Sequence, residues 1–156
     1  MPTTGKRAKS RPPSAIAVQR AVRAAPPAAF LRRCALAASP GQREITLRIV
    51  GAAEGRALNR AFRRRDYATN VLSFPYDARR GDIVLCHPVI AREARRQGKR
   101  LHNHYAHLVV HGVLHLRGRD HERAAEAARM ERAEVRILRR LGVGDPYASR
   151  APCLRR

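Results

Sequence analysis

Residues 111–121 read HGVLHLRGRDH and place three histidines at the spacing H-x3-H-x5-H, with a glycine between the second and the third. Two residues four apart share one face of a helix, so the rings of His111 and His115 can converge on one point. Gly118 can adopt the left-handed conformation that ends a helix, which would let the chain bring His121 to the same point. Three imidazoles and one open position are the donor set of a catalytic zinc site. The stretch therefore predicts a metal-bearing helix with His111, His115 and His121 as ligands.

The spacing equals that of the metzincin proteases, H-E-x-x-H-x-x-G-x-x-H, with one difference. Their general base is the glutamate after the first histidine, and that position is Gly112 in this chain. A peptidase of this kind cannot work without its base, so the glycine argues against proteolysis. The peptidase hypothesis then rests on the shared spacing alone.

A rival ligand set is the row of His107, His111 and His115, at positions i, i+4 and i+8. The rise from the first to the last is about 12 Å on a helix, so two of these rings could reach one ion only from nearly opposite sides. His107 is therefore expected to be a core residue or a partner that orients His111. The other histidines of the chain are expected to be surface or packing residues: His87, His102 and His104.

Four further motifs accompany the histidines. They are LNRAFR at 58–63, DYATNVLSFP at 66–75, Gly-Asp-Ile at 81–83 and Asp-Pro-Tyr at 145–147. With the string H-G-x-L-H-L-x-G-x-D-H, they resemble, in the same order, the motifs of the YbeY family of bacterial endoribonucleases, the rRNA maturation factors. The resemblance covers roughly residues 44–147.

This resemblance implies a zinc-dependent, single-strand-specific endoribonuclease that acts in rRNA maturation, in late processing of the small-subunit rRNA, and in ribosome quality control. It implies one Zn²⁺ per chain, held by His111, His115 and His121, although Ni²⁺ or another divalent metal could occupy the same ligands. The expected partners are RNA, in particular rRNA, and the ribosome or a ribosomal subunit with its assembly factors. The alternative is a non-catalytic, zinc-containing ribosome-assembly factor that binds RNA without cutting it.

Arg63 ends the L-N-x-x-F-R motif and matches the functional arginine of the family. The resemblance therefore implies that Arg63 is catalytic and binds substrate, since a guanidinium suits a phosphate and stabilises charge on a phosphoryl oxygen. Asp66, Thr69 and Asn70 have two interpretations, a substrate role or a capped turn before the strand near Val71.

Asp120 has two candidate roles, capping of the last helix or acceptance of the N–H of a ligating histidine. Arg119 stands where the family commonly has an aromatic residue, which could change how the site grips RNA. The segment between Pro75 and Gly81 is short for the family. Cys86 is interpreted as part of a buried strand.

Composition agrees with a nucleic-acid partner. The formal net charge is +21, and such a charge favours polyanions because phosphate neutralisation releases counterions. Nearly all of the cations are arginine, so genomic base composition is a competing explanation. We expect RNA and not DNA. No apolar run approaches the roughly 20 residues of a membrane helix, so no membrane partner is expected. Three widely spaced cysteines indicate reduced thiols and a cytoplasmic protein.

The expected domain organisation is a flexible basic arm at 1–14, one YbeY-like domain at 15–147 and a frayed tail at 148–156. The arm contains no acidic residue and also resembles an organelle transit peptide, although no long amphipathic helix precedes its prolines.

Hydrophobic periodicity predicts strands at 15–21, around 45–49, at 71–74 and at 83–86, with a turn at 79–82. Helices are predicted at about 26–38, 52–62, 88–97, 101–116 and 122–141. The predicted fold class is α+β, a small, roughly four-stranded mixed sheet packed against about five helices, with a zincin-like metal helix.

Overall fold

The computed structural model describes residues 15–39, 41, 43–118 and 123–148. Within these ranges the chain forms four strands and five helices: β1 (Ala15–Arg20), α1 (Ala28–Ala38), β2 (Glu44–Val50), α2 (Ala52–Arg63), β3 (Val71–Pro75), β4 (Arg80–Cys86), α3 (His87–Arg96), α4 (Leu101–Leu116) and α5 (Ala124–Arg140). The predicted α+β fold is confirmed. The expected arm at 1–14 and most of the expected tail lie outside the described residues, so both stay predictions.

The four strands form one mixed sheet in the order β1-β2-β4-β3. β1, β2 and β4 are parallel, and β3 runs antiparallel along the edge of β4. Two neighbouring parallel strands need a crossover connection. Helix α1 forms the connection from β1 to β2, and α2 together with β3 forms the connection from β2 to β4. The antiparallel β3 needs only the short turn that joins it to β4.

The two faces of the sheet pack against different helices. Ile83 and Leu85 of β4 belong to the larger hydrophobic core, which also contains the buried residues of α4. Val84 and Cys86 belong to a smaller cluster that includes Leu58 of α2. Because successive side chains of a strand point to opposite faces, α4 and α2 lie on opposite sides of the sheet.

Two glycines allow α4 to approach the sheet closely. A Cβ at Gly112 would lie 3.0 Å from Ile83 Cγ2, and a Cβ at Gly81 would lie 2.7 Å from Leu116 Cδ2. The hydroxyl of Ser73 on β3 donates to the Gly112 carbonyl at 3.4 Å. The position of the metzincin glutamate therefore faces the sheet, and a long side chain there would displace α4. This geometry adds to the argument against a peptidase.

The turn between β3 and β4 was expected at 79–82, and that prediction is wrong. Asp77 Oδ1 accepts the backbone N–H groups of Arg79 and Arg80, so the chain turns earlier and β4 already begins at Arg80. Gly81 lies inside β4, at a position where Leu116 of α4 occupies the space that a side chain would need. The sequence alone does not distinguish a glycine that permits close packing from a glycine that forms a turn.

None of the helices in the described ranges has the length and apolar character needed to cross a membrane.

Candidate metal centre

Four histidines lie in a row along α4, because spacings of three or four residues return to one face of a helix. Their ring centroids are 6.4 Å apart for His104 and His107, and 6.3 Å apart for His107 and His111. The distance falls to 4.7 Å between His111 and His115, which meet edge to face.

His111 and His115 are the two predicted ligands that the structure describes. Both are partly exposed in the last turns of α4. The helix ends at Leu116, and Gly118 has a φ of 76°, the left-handed conformation expected there. His121 and Asp120 lie outside the described residues. The structure thus brings two of the three predicted ligands together, and the complete triad stays a prediction.

A buried glutamate from α5 holds the ring of His111. Glu134 is fully buried, and its Oε1 lies 2.5 Å from Nδ1 of His111. A carboxylate can only accept, so Nδ1 carries the proton and donates it. The second carboxylate oxygen of Glu134 accepts from His107 Nε2 at 3.1 Å and from the Tyr147 hydroxyl. One carboxylate therefore ties together two helices and the chain after α5.

These hydrogen bonds decide the charge of Glu134. Burial alone would raise the pKa of its carboxyl group, but the hydrogen bonds from His107, His111 and Tyr147 outweigh burial and lower the pKa to about 2. Glu134 is consequently ionised at neutral pH and is the acceptor for all three groups.

The donor set fits a divalent metal with a preference for nitrogen. A metal-bound histidine usually donates its second ring N–H to a carboxylate or carbonyl, which fixes the tautomer and the orientation of the ring. His111 has this arrangement at Nδ1, which donates to Glu134, so a metal would bind at Nε2. The adjacent ring of His115 supplies a second imidazole.

His107 has a different environment from His111. Its Nε2 lies within hydrogen-bond distance of both Glu134 Oε2 and the Tyr147 hydroxyl, each at 3.1 Å. These contacts favour the expectation that His107 supports His111, with Glu134 as the link between them, over the rival ligand row.

A second carboxylate–histidine contact lies nearer the start of α4. Nε2 of the buried His104 is 3.4 Å from Glu93 Oε2 of α3, and Asn70 Nδ2 donates to the same oxygen at 3.2 Å. Asn70 Oδ1 also accepts the N–H of Val71 at 2.7 Å. This geometry supports the structural interpretation of Asn70, as a residue that holds the start of β3.

Arg63 is exposed at the last position of α2, and this helix packs through Leu58 on the sheet face opposite to α4. Asp66, which follows it closely, forms a two-pronged ion pair with Arg56 at 2.8 and 2.9 Å. Asn59 is buried and donates to the Tyr67 carbonyl at 2.6 Å. These contacts thus tie α2 to the loop that follows it.

Comparison with known proteins decides the family. The family model described as Endoribonuclease YbeY matches residues 18–142. The chain belongs to the endoribonuclease YbeY family.

Curated relatives support the same family, and a solved structure supports the same fold. Endoribonuclease YbeY of Aromatoleum aromaticum is 56% identical over 142 residues, which cover 86% of this chain and 92% of that protein. Endoribonuclease YbeY of Methylibium petroleiphilum is 59% identical over 108 residues, which cover 67% of this chain and 72% of that protein. The solution structure of TM1509 from Thermotoga maritima superposes with a TM-score of 0.58 at 23% identity, covering 81% of this chain and 91% of that chain, and supports the fold. The predicted family resemblance is confirmed.

Glu134 is the site residue of this YbeY family member that sequence reasoning missed. A signal was available, because the buried positions of α5 are Met130, Ala133, Glu134, Ile137 and Leu138, and only one of them is charged. A lone acid on the apolar face of an amphipathic helix needs a buried partner. The sequence singles out Tyr147 only as part of the Asp-Pro-Tyr motif. The N-cap of α5 is Arg123, and Asp120 lies outside the described residues, so both of its candidate roles stay predictions.

Proposed function

We propose that this chain is a zinc-dependent, single-strand-specific endoribonuclease that acts in rRNA maturation. The observation that carries the proposal is the ring of His111, fixed by the ionised Glu134 and placed 4.7 Å from the ring of His115. The names of the relatives supply the reaction class, and the formal charge of +21 suits an RNA substrate.

His111, His115 and the predicted third ligand His121 would hold one Zn²⁺ per chain, with Ni²⁺ as the main competing ion. When bound, Zn²⁺ would supply the Lewis acidity that activates water for attack on phosphorus. Glu134 acts as a positioning residue, because it holds His111 in the tautomer whose Nε2 can coordinate. Gly112 provides no general base, so proton transfer does not follow the peptidase route.

Arg63 would bind an RNA phosphate and stabilise the negative charge that builds on it during cleavage. Its side chain is exposed, so a substrate can reach it. Arg63 ends a helix that packs on one sheet face, and the histidines belong to a helix that packs on the other. We therefore expect an RNA that contacts both to pass over the edge formed by β3. A single strand follows such a path more easily than a stiff duplex does.

In the cell, the substrate would be the precursor of the small-subunit rRNA, and the protein would act with the ribosome and its assembly factors in the cytoplasm. The same activity would serve ribosome quality control.

Cleavage of a structured rRNA fragment tests the proposal, with wild type, His115→Ala and Arg63→Glu compared and the bound metal quantified in each sample. Arg139→Glu is the matched control, because Arg139 is exposed on α5 and carries the same charge. We expect both site variants to lose cleavage and only His115→Ala to lose metal, while the control cleaves like wild type. Equal residual cleavage in all four proteins would point to a contaminating nuclease and would favour the RNA-binding assembly factor.

A further inference from the structure

Three aromatic side chains are exposed in one short part of the described chain. Phe62 is 64% exposed, Tyr67 is 52% exposed and Tyr76 is 66% exposed. Only seven Phe and Tyr residues occur in the whole sequence. Single exposed aromatics need no explanation, but several together mark a binding site.

The rings are held in place by their neighbours. Phe62 packs edge to face on Phe74 of β3, with the ring centroids 5.1 Å apart. The hydroxyl of Tyr76 donates to Asp82 Oδ2 at 2.5 Å. Phe74 and Asp82 are paired residues of β3 and β4, so both contacts lie at the same level of the sheet. Rings that are already ordered lose little entropy when a ligand binds.

Exposed arginines are concentrated in the segment that carries the first two rings. Residues 60–67 contain Arg60, Arg63, Arg64 and Arg65, all exposed, and the single acid among these eight residues, Asp66, is paired with Arg56. The guanidinium of Arg65 donates to the Tyr67 hydroxyl at 3.4 Å. Positive charge therefore lies beside flat apolar rings.

The backbone at the end of α2 is strained at Arg64. Arg64 has a φ of 57°, and within the described residues it is the only non-glycine with a positive φ. Glycine is usual at such a helix end, and another residue costs about 1 kcal/mol. Strain of this kind is retained mostly at functional positions.

We propose that residues Arg60, Phe62, Arg65, Tyr67 and Tyr76 form a docking surface for single-stranded RNA, named here the aromatic–arginine surface. Bases stack on the rings of Phe62, Tyr67 and Tyr76, and the two arginines hold the flanking phosphates. The surface lies on the α2 side of β3, next to Arg63. It deepens the proposed function, because it would hold the strand whose continuation crosses β3 to the histidines.

Equilibrium binding to a labelled 2′-O-methyl oligoadenylate tests the surface, with the full-length protein and a series of salt concentrations. This probe keeps the bases and phosphates but lacks the 2′-hydroxyl, and gels after each titration check that it is intact. We expect Phe62→Leu and Tyr76→Leu each to weaken binding by about fivefold or more. Phe62→Tyr should bind like wild type, because it keeps the ring and its packing. Tyr76→Phe should weaken binding less than Tyr76→Leu does, because it keeps the ring and loses only the hydrogen bond to Asp82.

The salt dependence separates stacking from charge. Arg65→Gln and Arg60→Gln should each lower the slope of log Kd against log salt by about 0.7, the value for one phosphate contact on a single strand. The ring variants should leave this slope unchanged. Leu36→Ala and Arg139→Gln are controls at exposed positions on α1 and α5, and neither should change the affinity or the slope.

A duplex of the same length hides its base faces, so the ring variants should bind it like wild type. If Phe62→Leu and Tyr76→Leu bind the single strand as tightly as wild type, the surface is not a stacking site and the inference is wrong. Binding that follows these expectations in a protein that never cleaves RNA would overturn the proposed activity and leave the surface in place. Normal cleavage, combined with ring variants that bind as tightly as wild type, would overturn the surface and leave the proposed activity in place.

Discussion

The two ends of α4 each place a histidine against a carboxylate, but the contacts differ in geometry. Near the end of the helix, Glu134 is fully buried and lies 2.5 Å from His111 Nδ1, with His107 and Tyr147 on its other oxygen. Near the start, Glu93 is 26% exposed at its side chain and lies 3.4 Å from His104 Nε2. Within the described residues, neither ring nitrogen of His104 has a hydrogen-bond partner. Three donors from two helices and the chain after α5 therefore hold the buried Glu134, whereas the partly exposed Glu93 accepts a hydrogen bond from Asn70 and has only a long contact with His104.

The largest effect is expected when Glu134 is replaced. Glu134→Gln keeps the shape but cannot accept from three donors, so it should lower the free energy of unfolding by about 3 kcal/mol in urea. We expect Zn²⁺ affinity, measured by competition with a chromophoric chelator, to fall about 10- to 100-fold. Glu93→Gln is the control for the comparison and should leave Zn²⁺ affinity unchanged. Equal losses of Zn²⁺ affinity in both variants would remove the distinction between the two ends of α4.

Acid titration of the metal-free protein should separate the two carboxylates next. Burial raises the pKa of the Glu93 carboxyl group, whereas the nearby His104 ring and the hydrogen bond from Asn70 lower it. The net direction is down from the ordinary value of 4.5. The pKa of Glu134 is lowered further, to about 2. A lowered pKa contributes stability that is present above pH 4.5 and is lost as the pH falls through the folded-state value.

Unfolding free energies measured from neutral pH downwards should therefore fall less steeply below pH 4.5 in both Gln variants than in wild type, and least steeply in Glu134→Gln. A steeper fall in Glu134→Gln than in wild type would contradict the direction of the pKa shift.

A smaller effect is expected at Tyr147. Tyr147→Phe removes one of the three donors to Glu134 and should cost about 1 kcal/mol of stability. The bond between His111 and Glu134 remains, so Zn²⁺ affinity should fall less than in Glu134→Gln. Thermal unfolding with and without Zn²⁺ measures both quantities in the same samples. A loss of Zn²⁺ affinity as large as that of Glu134→Gln would show that the orientation of the His111 ring depends on Tyr147 and not on Glu134 alone.

The smallest effect is expected at His104. His104→Phe keeps a ring of similar size in a buried position whose nitrogens gain little from the protein, so stability should change by less than about 1 kcal/mol. The same substitution at His107 should destabilise clearly, since it takes a donor away from Glu134. Urea denaturation of the two variants side by side provides the check. A large loss at His104 would show that its contact with Glu93 is stronger than its length indicates.

Periodicity and spacing were sufficient for most of the fold. Alternation of apolar residues predicted β2, and Leu31, Cys34 and Ala35 of α1 are buried as expected. Spacing also placed His111 and His115 side by side, because the pitch of a helix is independent of the rest of the protein. The β3–β4 turn was misplaced because the role of Gly81 depends on Leu116, which is distant in sequence.

The sequence by itself determined the family, the fold class and the two adjacent histidines of α4, since each depends on local order along the chain. Only the tertiary structure decided which carboxylate holds His111, that Gly112 faces the sheet, and that α2 and α4 pack on opposite faces of the sheet. The physical reason is that these relations join residues from separate elements. Packing across the sheet and between α4 and α5 brings such residues together, and no local pattern records the partner.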